Sequence, residues 1–278
     1  MSKVHNPLTQ RRLDAEKASN ITNSPPLPSW ATGNTVANMA AGTSIFDPVL
    51  CELIYRWFCP KSGKILDPFA GGSVRGIVAG YLGYDYVGVE LRPEQVKANQ
   101  IQAEIICNSH KPQWIVGDSQ NIDTLAKGEY DLVFSCPPYY DLEIYSDLEG
   151  ELSALPFYDD FIEIYQDIVA KCVSMLKENR FACFVVGDIR DKQGFYRNFV
   201  SDTISAFQDA GMRLYNEAIL VTAVGSLPIR VIRAFQSNRK LGKTHQNVLI
   251  FYQGKVNLIK QFGEVEVGEN EHPCYKER

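Results

Sequence analysis

Short apolar runs separated by polar stretches dominate the chain from residue 47 onward. A continuous short apolar run predicts a buried strand, whereas apolar residues that recur every three or four positions predict a helix with one buried face. We expect strands at 64–67, 86–90, 114–118, 130–135, 181–187, 217–222 and 248–252. We expect helices at 48–58, 73–82, 93–107, 157–177 and 199–210.

Strands and helices follow each other in turn over most of this region. Such an order predicts an α/β fold with a mostly parallel sheet and helices on both faces. No helical pattern separates the last two strands, so they are expected to form an antiparallel hairpin at one edge. In open sheets of this class ligands bind beyond the carboxyl ends of the strands, and functional residues are expected there.

The flanking segments divide the chain into three parts. Residues 1–41 are polar, contain SPPLPSW at 24–30 and show no helical or strand period, which predicts a poorly ordered N-terminal arm. The domain itself is expected to span residues 42–256. Residues 257–278 are then a C-terminal tail.

Composition narrows the classes of function. Of 278 residues, 45% are hydrophobic, which is typical of a globular protein with a sizeable core. The net charge of −5 gives no overall basic field, so any site for nucleic acid has to be local. The seven cysteines form no CxxC pair, and no apolar run approaches about 18 residues. We expect a cytoplasmic protein with reduced cysteines, no metal and no membrane span.

Acidic residues end three successive strands. The first strand leads into ILDPFAGGS (65–73), where Asp67 precedes two glycines and a serine that opens a helix. Glycines let the backbone approach a ligand closely, and a helix N-terminus favours negative charge. Glu90 ends the second strand, where an acid can accept both hydroxyls of a ribose. Asp118 ends the third, placed to accept an adenine amino group, so the three predict a nucleoside site; a tight turn with solvated strand ends is the alternative.

Two prolines end the fourth strand abruptly, in FSCPPYYD (134–141). Pro137 and Pro138 have no amide hydrogen, so they stop strand pairing and stiffen the chain with its carbonyls in set directions. Tyr139 places an aromatic face beside those carbonyls. A planar base could stack on this face while its exocyclic amine donates to the Pro137 carbonyl and to Cys136. A rigid turn with a buried tyrosine is the alternative.

Residues 43–254 resemble the S-adenosylmethionine-dependent DNA amino methyltransferases, which modify adenine N-6 or cytosine N-4. The resemblance rests on DPFAGGS, an acid on the next strand, GD on the third strand and CPPY on the fourth. It implies a Rossmann-like seven-stranded sheet whose last strand is antiparallel, and S-adenosylmethionine as the cofactor. The segment TSIFDP (43–48) resembles the part of the family that contacts the methionine end of the cofactor.

The resemblance also implies roles for particular residues. Glu90 would bind the ribose and Asp118 the adenine of the cofactor, with the glycine-rich turn around them. The cofactor candidates are Thr43, Ser44, Phe46, Asp67, Pro68, Phe69, Gly71, Gly72, Ser73, Glu90, Asp118 and Ser119, and the catalytic candidates are Cys136, Pro137, Pro138 and Tyr139.

Cys136 departs from the family pattern, in which Asp, Asn or Ser usually precedes the two prolines. A thiol is a weak hydrogen-bonding group, so the Pro137 carbonyl or Ser135 would carry more of the hold on the amine. Cysteine is nearest in shape to serine, which is more associated with cytosine, and this favours cytosine without settling the base. A Cys136 thiolate that attacks cytosine for carbon-5 methylation is a rival hypothesis. In those enzymes, however, the cysteine follows the proline.

A basic segment lies between the last two predicted strands, in GSLPIRVIRAFQSNRKLGKTH (225–245). It contains no acid, and in a net-negative protein it predicts contacts with phosphate. A solvated hairpin is the alternative. The acidic loop 141–156 is expected to form a lid over the target base, or else a surface loop. The candidates for binding DNA are Arg230, Arg233, Arg239, Lys240 and Lys243.

These features together predict a methyltransferase that flips a base out of double-stranded DNA. The methyl group would pass directly from S-adenosylmethionine to the amine, without a metal or a covalent enzyme intermediate, and positioning would supply most of the rate. An RNA or protein methyltransferase and a nucleic-acid-binding module without activity remain alternative hypotheses. Roles in restriction-modification, phage protection and regulation stay open.

Overall fold

A seven-stranded sheet organises the protein. The computed structural model describes residues 45–142, 145–222 and 227–265, with the backbone alone at 228–230. The strands are β1 (Lys64–Asp67), β2 (Asp85–Glu90), β3 (Gln113–Val116), β4 (Tyr130–Ser135), β5 (Leu176–Val186), β6 (Arg213–Val221) and β7 (His245–Gln253).

The strand order across the sheet is β3-β2-β1-β4-β5-β7-β6. The first five strands are mutually parallel, whereas β7 lies between β5 and β6 and is antiparallel to both. The predicted sheet, with its antiparallel last strand, is therefore confirmed. Because β1 pairs directly with β4, through Leu66 opposite Val133, the turns that follow these two strands are neighbours.

Helices connect the strands on both faces of the sheet. The first begins after Asp47, whose carboxylate accepts hydrogen bonds from the backbone of Val49 (2.8 Å) and Leu50 (3.3 Å), as expected for a helix cap. The helices are α1 (Pro48–Phe58), α2 (Val74–Tyr81), α3 (Pro93–Ile106), α4 (Ile122–Leu125), α5 (Tyr158–Ser174), α6 (Phe199–Asp209) and α7 (Leu227–Asn238).

The core consists of two hydrophobic clusters, one on each face of the sheet. Successive strand residues point to opposite faces, so Ile65 joins one cluster and Leu66 the other. Helices α1, α2 and α3 cover the first cluster, and α4, α5 and α6 cover the second. Strands that are apolar on both faces are typical of such buried parallel sheets, which is why the sequence showed continuous apolar runs.

Helix α5 ends earlier and β5 begins earlier than the sequence suggested. The helix was expected to continue to residue 177, but it ends at Ser174, and Leu176 already pairs with Tyr130 of β4. Met175 and Leu176 are both buried, and a buried apolar residue fits the last turn of a helix as well as the start of a strand. The expected third strand is also shorter, since it ends at Val116 and leaves Asp118 in the following turn.

The last two strands pair in the antiparallel direction as predicted, but the segment between them contains a helix, so the expectation of a helix-free hairpin over 225–245 is wrong. Helix α7 contributes none of its described side chains to either core cluster. It packs locally instead, because Leu227 and Val231 lie against Gly242. Its apolar positions Leu227, Val231 and Phe235 recur at helical spacing, so the helical period is present in the sequence. The cations between them had instead suggested an exposed segment that contacts phosphate.

The domain continues past the expected boundary at residue 256. Residues Val256–Phe262 form a 3-10 helix, and Phe262 packs edge-on against Phe181 with ring centroids 5.2 Å apart. The predicted tail therefore starts with a segment that belongs to the domain. The predicted arm at 1–41 lies outside the described residues, as does the part of the tail beyond residue 265.

Candidate active site

Asp67 is the most heavily bonded side chain at the end of β1. Its Oδ1 accepts hydrogen bonds from the hydroxyl of Ser135 (2.6 Å) and the backbone of Phe69 (3.1 Å). Its Oδ2 accepts from Arg75 Nε (2.6 Å) and from the hydroxyl of Tyr86 (2.7 Å). The carboxylate is fully buried, so Asp67 organises the turn from behind, whereas the sequence had suggested a residue that lines the cofactor.

Arg75 completes this buried network from the first turn of α2. Its guanidinium also donates to the carbonyls of Phe69 (2.6 Å) and Ala70 (3.0 Å), so it holds the glycine-rich turn by its backbone. Although burial acts in the opposite direction, the charge of Asp67 raises the pKa of Arg75, which stays charged. A buried ion pair is tolerated only where its remaining hydrogen-bonding groups are satisfied, and here they are.

The glycine-rich turn is held open by its two flanking helices and by β2. Gly71 has φ +50°, and its amide donates to Glu90 Oε2 (2.9 Å) while its carbonyl accepts from Asn99 Nδ2 (2.8 Å). Gly72 is exposed, and a Cβ at its position would meet nothing within 4 Å. The backbone of the turn therefore borders open space next to Glu90 at the end of β2.

Glu90 lies at the end of β2, as predicted, and its carboxylate is nearly buried. Its Oε1 accepts from the backbone (3.1 Å) and the Nε (2.9 Å) of Arg92, opposite the bond from Gly71 to Oε2. Both oxygens are thus held in place by the protein. A carboxylate oxygen accepts more than one hydrogen bond, so hydroxyl groups of a ligand still find acceptors here.

Asp118 lies two residues after the end of β3 and caps a short 3-10 helix. It accepts from the backbone (2.9 Å) and the side chain (3.0 Å) of Gln120. The neighbouring Ser119 donates to the carbonyl of Pro68 and so joins the third strand end to the first. Gly150, in the acidic loop, lies so close that a Cβ there would be 2.6 Å from Asp118 Oδ2 and 3.5 Å from Leu91.

The acidic loop therefore lies over the ends of β2 and β3. Glu151 anchors it, since its carboxylate accepts from Ser146 Oγ (2.9 Å) and from the backbone of Ser153 (3.2 Å), and Leu152 and Ser153 are buried. The loop had been expected over the target base beside the fourth strand. Its contact at Gly150 places it at the side of the predicted nucleoside site instead.

The other cofactor candidates surround the same turn. Phe69 stacks on Tyr165 with ring centroids 6.1 Å apart. Phe46 packs edge-on against Phe134 and lies under the guanidinium of Arg75, 4.7 Å from its ring centroid. The buried hydroxyl of Ser73 donates to Gln102. Thr43 and Ser44 lie outside the described residues.

The four catalytic candidates follow β4 directly, next to the glycine-rich turn. Ser135 ends the strand and is joined to Asp67, as described above, and Pro137 is buried while Cys136 and Pro138 are half-buried. The Tyr139 hydroxyl donates to the Val185 carbonyl (3.3 Å) and accepts from Gln246 Nε2 (2.6 Å). The Cys136 Sγ lies 3.7 Å from the same hydroxyl.

Tyr139 and Tyr140 fix the direction of the chain after the prolines. The ring of Tyr139 packs edge-on against Phe199, and burial raises the pKa of its hydroxyl well above the ordinary value, so the group stays protonated. Tyr140 has φ +46°, an uncommon conformation for a bulky residue. It is buried, its hydroxyl donates to the Pro156 carbonyl (3.0 Å), and the guanidinium of Arg197 lies 4.8 Å from its ring centroid.

The candidate DNA-binding residues differ from each other in their exposure and in their contacts. Arg233 and Arg239 are exposed, and the guanidinium of Arg239 lies over the ring of Phe235. Lys243 lies 3.1 Å from Asn247 Oδ1 and 3.8 Å from Asp188 Oδ2, so its charge is partly neutralised. Lys240 is half-buried. At Arg230 the structure describes only the backbone.

Three residues of the site were not predicted from the sequence. Arg75, Asn99 and Gln246 come from α2, α3 and β7, respectively, and their roles depend on contacts with distant elements. A cation within the apolar pattern of α2 was the one available signal for Arg75. Asn99 and Gln246 lie in ordinary polar contexts, where nothing distinguishes them from solvated side chains.

Within the described residues there is no group of His, Cys, Asp and Glu that would hold a metal ion. None of the helices described is both long and apolar enough to cross a membrane. The six cysteines described form no disulfide, and five of them are buried.

Comparisons with known proteins bear on the fold. No protein-family model and no curated protein matches the chain. Among solved structures, TrmN from Thermus thermophilus is similar with a TM-score of 0.50 and 12% identity, over 79% of this chain and 52% of that one. The chain thus spans about half the length of the Thermus protein.

Two further structures are similar over most of both chains. One is the magnesium protoporphyrin IX methyltransferase of Synechocystis PCC 6803 with bound SAH, with 11% identity, a TM-score of 0.49 and coverage of 87% and 94%. The other is a TehB-like SAM-dependent methyltransferase from Corynebacterium glutamicum, with 16% identity, a TM-score of 0.46 and coverage of 89% and 100%. With the strand order and the antiparallel β7, the chain has the Rossmann-like fold of SAM-dependent methyltransferases.

Proposed function

We propose that this protein transfers a methyl group from S-adenosylmethionine to the exocyclic amino group of cytosine or adenine in double-stranded DNA. One observation carries the proposal. The hydroxyl of Ser135, directly before the Cys-Pro-Pro-Tyr loop, donates a 2.6 Å hydrogen bond to Asp67, which organises the glycine-rich turn. A turn suited to a methyl donor and a loop suited to an amine are therefore held side by side.

The residues around the glycine-rich turn fit the cofactor. The exposed Gly72 faces open space, which backbone contact with a ligand requires, and Glu90 and Asp118 supply acceptors for ribose hydroxyls and an adenine amine. Phe69 adds apolar surface, and the acidic loop at Gly150 borders the adenine end. When bound, S-adenosylmethionine supplies an electrophilic methyl group on a sulfonium centre.

The loop after β4 would hold the target base. Its rigidity is of value here, because an aromatic amine is a poor nucleophile and depends on orientation for its reactivity. The carbonyl of Pro137 would accept a hydrogen bond from the amine, and Tyr139 would stack against the base. The Tyr139 ring is suited to this, since Gln246 and Val185 fix its hydroxyl and Phe199 supports its edge. The amine would release its proton to water.

Exposed cations support a nucleic acid as the substrate. Arg233 and Arg239 lie on α7 and directly after it, in the connection that leads to β7 and Gln246. Phosphate contacts of this kind contribute most of non-specific affinity for DNA and make binding dependent on salt. Binding should therefore weaken steeply as the salt concentration rises.

Cys136 favours cytosine as the target base and also permits a rival chemistry. A cysteine at this position is close in shape to serine, but a thiolate could instead attack cytosine carbon-6 and direct the methyl group to carbon-5. The two chemistries leave the methyl group on different atoms, and nucleoside analysis therefore separates them.

The test is incubation with S-adenosylmethionine that carries a labelled methyl group and with genomic DNA from a strain that lacks DNA methylation. The DNA is then digested to nucleosides. Label in N-4-methylcytosine or N-6-methyladenine is the expected result. Label at cytosine carbon-5 supports the rival chemistry, and label only in added RNA or protein, or no label, contradicts the proposal.

A further inference from the structure

Residues 190–196 form a tight hairpin between β5 and α6, which we call the 190–196 hairpin. Arg190 and Tyr196 form an antiparallel bridge at its base. Inside it, Asp191 Oδ1 accepts hydrogen bonds from the backbone of Gly194 (2.7 Å) and of Phe195 (2.9 Å), and the Asp191 amide donates to the Phe195 carbonyl (2.9 Å). The backbone on both sides of the turn is therefore fixed by several bonds.

This rigid hairpin presents an aromatic side chain to solvent. Phe195 is 69% exposed, whereas the adjacent Tyr196 is partly covered by the guanidinium of Arg190, 3.9 Å from its ring centroid. A single exposed apolar residue is ordinary on a protein surface and needs no explanation by itself. Phe195 is of interest because of its position relative to the catalytic loop and to nearby cations.

The hairpin and the catalytic loop are parts of one packed unit. Ile189, directly before the hairpin, is buried, and its carbonyl accepts from the backbone of Arg197 (3.0 Å). The guanidinium of Arg197 in turn lies against the ring of Tyr140, with its Nη2 3.9 Å from Asp141. On the other side, a Cβ at Gly187 would lie 3.7 Å from the ring of Tyr139.

Cations flank the exposed ring. Lys192 is exposed within the hairpin, and Arg190 covers Tyr196. Lys240, which follows α7, reaches the turn itself, since a Cβ at position 194 would lie 2.5 Å from its Nζ. Gly194 has φ +100°, a backbone conformation that favours glycine. An aromatic ring among cations suits a surface of stacked bases and phosphates.

We propose that Phe195 stacks between bases of the duplex next to the target nucleotide and occupies the space that this base leaves when it turns outward. The inference rests on the proposed function, because it assigns the DNA a position over the catalytic loop. Apolar side chains that enter base steps are a known means of unstacking a duplex, and extrusion of a base requires its stacking energy to be replaced. Lys192 and Lys240 would contact the phosphates on either side.

The first experiment compares methylation of genomic DNA by the Phe195→Ala protein and by a matched Tyr81→Ala protein. Tyr81 is 77% exposed but ends α2, at the opposite end of this helix from the glycine-rich turn. Because Phe195→Ala would lose the stacking energy of one base, we expect its kcat/KM to fall roughly ten- to a hundredfold. Tyr81→Ala should be unchanged, and S-adenosylmethionine binding should be equal in both. An unchanged rate for Phe195→Ala overturns the inference.

The second experiment needs no methyl transfer. The indole added by Phe195→Trp should stack on bases, so its fluorescence should be quenched when a short duplex of random sequence is added without a methyl donor. The parent protein, with its three tryptophans, supplies the background. Binding of the duplex without quenching, or no binding, overturns the inference. Quenching in a protein that methylates no nucleic acid would overturn the proposed function alone, and the two failures are thus distinguishable.

Discussion

The side-chain amide of Gln246 donates a 2.6 Å hydrogen bond to the hydroxyl of Tyr139, although the two residues are 107 positions apart in the chain. Tyr139 follows the two prolines after β4, and Gln246 lies on β7, two strands away. The same hydroxyl contacts the Val185 carbonyl of the strand between them. The orientation of the proposed stacking residue is therefore set by three strands.

Gln246→Leu should slow methyl transfer without affecting the cofactor. Loss of one neutral hydrogen bond of about 1 kcal/mol corresponds to a fall of roughly fivefold in kcat. S-adenosylmethionine affinity, measured by calorimetry, should stay the same because Gln246 is remote from the glycine-rich turn. Gln208→Leu, an exposed position on α6, is the control. Equal rates for Gln246→Leu and the parent protein would show that the contact does not position Tyr139.

Asp67→Asn should destabilise the whole protein. The substitution leaves the buried guanidinium of Arg75 without its counterion, and the removal of one partner of a buried pair typically costs about 3–5 kcal/mol. Urea unfolding measures the change. Asp85→Asn removes a carboxylate that is 70% exposed and should change stability by less than about 0.5 kcal/mol. A similar small change at Asp67 would contradict the role assigned to it.

Gly72→Ala and Gly83→Ala should have opposite effects. A Cβ at Gly72 meets no protein atom, so the melting temperature should hold, but the methyl group enters the proposed cofactor space and should weaken S-adenosylmethionine binding at least about tenfold. Gly83 also has free space, yet its φ of +83° makes alanine costly by about 1–2 kcal/mol. That variant should melt earlier and bind normally. Unchanged binding by Gly72→Ala would place the cofactor elsewhere.

Cys136→Ser should retain methyl transfer if the target is an amino group. The hydroxyl is close to the thiol in shape and is the stronger hydrogen-bonding group, so the loop keeps its conformation. A carbon-5 enzyme would lose its nucleophile and its activity with the same substitution. The rate of transfer to DNA, with the labelled nucleoside identified, decides between the two. Abolished transfer in a protein that still binds S-adenosylmethionine would favour the rival chemistry.

Asp131 should make stability depend on pH in the acid range. Although burial opposes the effect, hydrogen bonds from Lys177, the backbone of Lys64 and Arg180 lower the pKa of Asp131 from 3.8. A lowered pKa in the folded state means that the stabilisation is complete above pH 3.8 and is lost as the pH falls through the folded value.

Asp131→Asn should therefore cost on the order of 2 kcal/mol at neutral pH and progressively less below pH 3.8. Urea unfolding of both proteins across this range is the measurement. A difference that stays constant with pH would show that the carboxylate charge contributes nothing.

The elements of the parallel half of the sheet were predictable because their signals are local. Apolar runs, the Asp47-Pro48 cap and the Pro137-Pro138 break each act on a few neighbouring residues, and β4 was found where it was expected. Helix α7 was missed although Leu227, Val231 and Phe235 recur at helical spacing, because its cations were interpreted as part of an exposed hairpin. Its apolar residues Leu227 and Val231 pack against Gly242 rather than in the core, and this partner could not be identified from the sequence.

The sequence by itself determined which chemical groups stand at the strand ends, since an acid, a glycine pair or a proline pair ends a strand wherever the strand is placed. Only the tertiary structure decided what each group does. Pairing of β1 with β4 turned Asp67 into a buried link between Arg75 and Ser135, and insertion of β7 beside β5 brought Gln246 to Tyr139. The physical reason is that hydrogen bonds and ion pairs depend on distances of about 3 Å, which strand order sets and spacing along the chain does not.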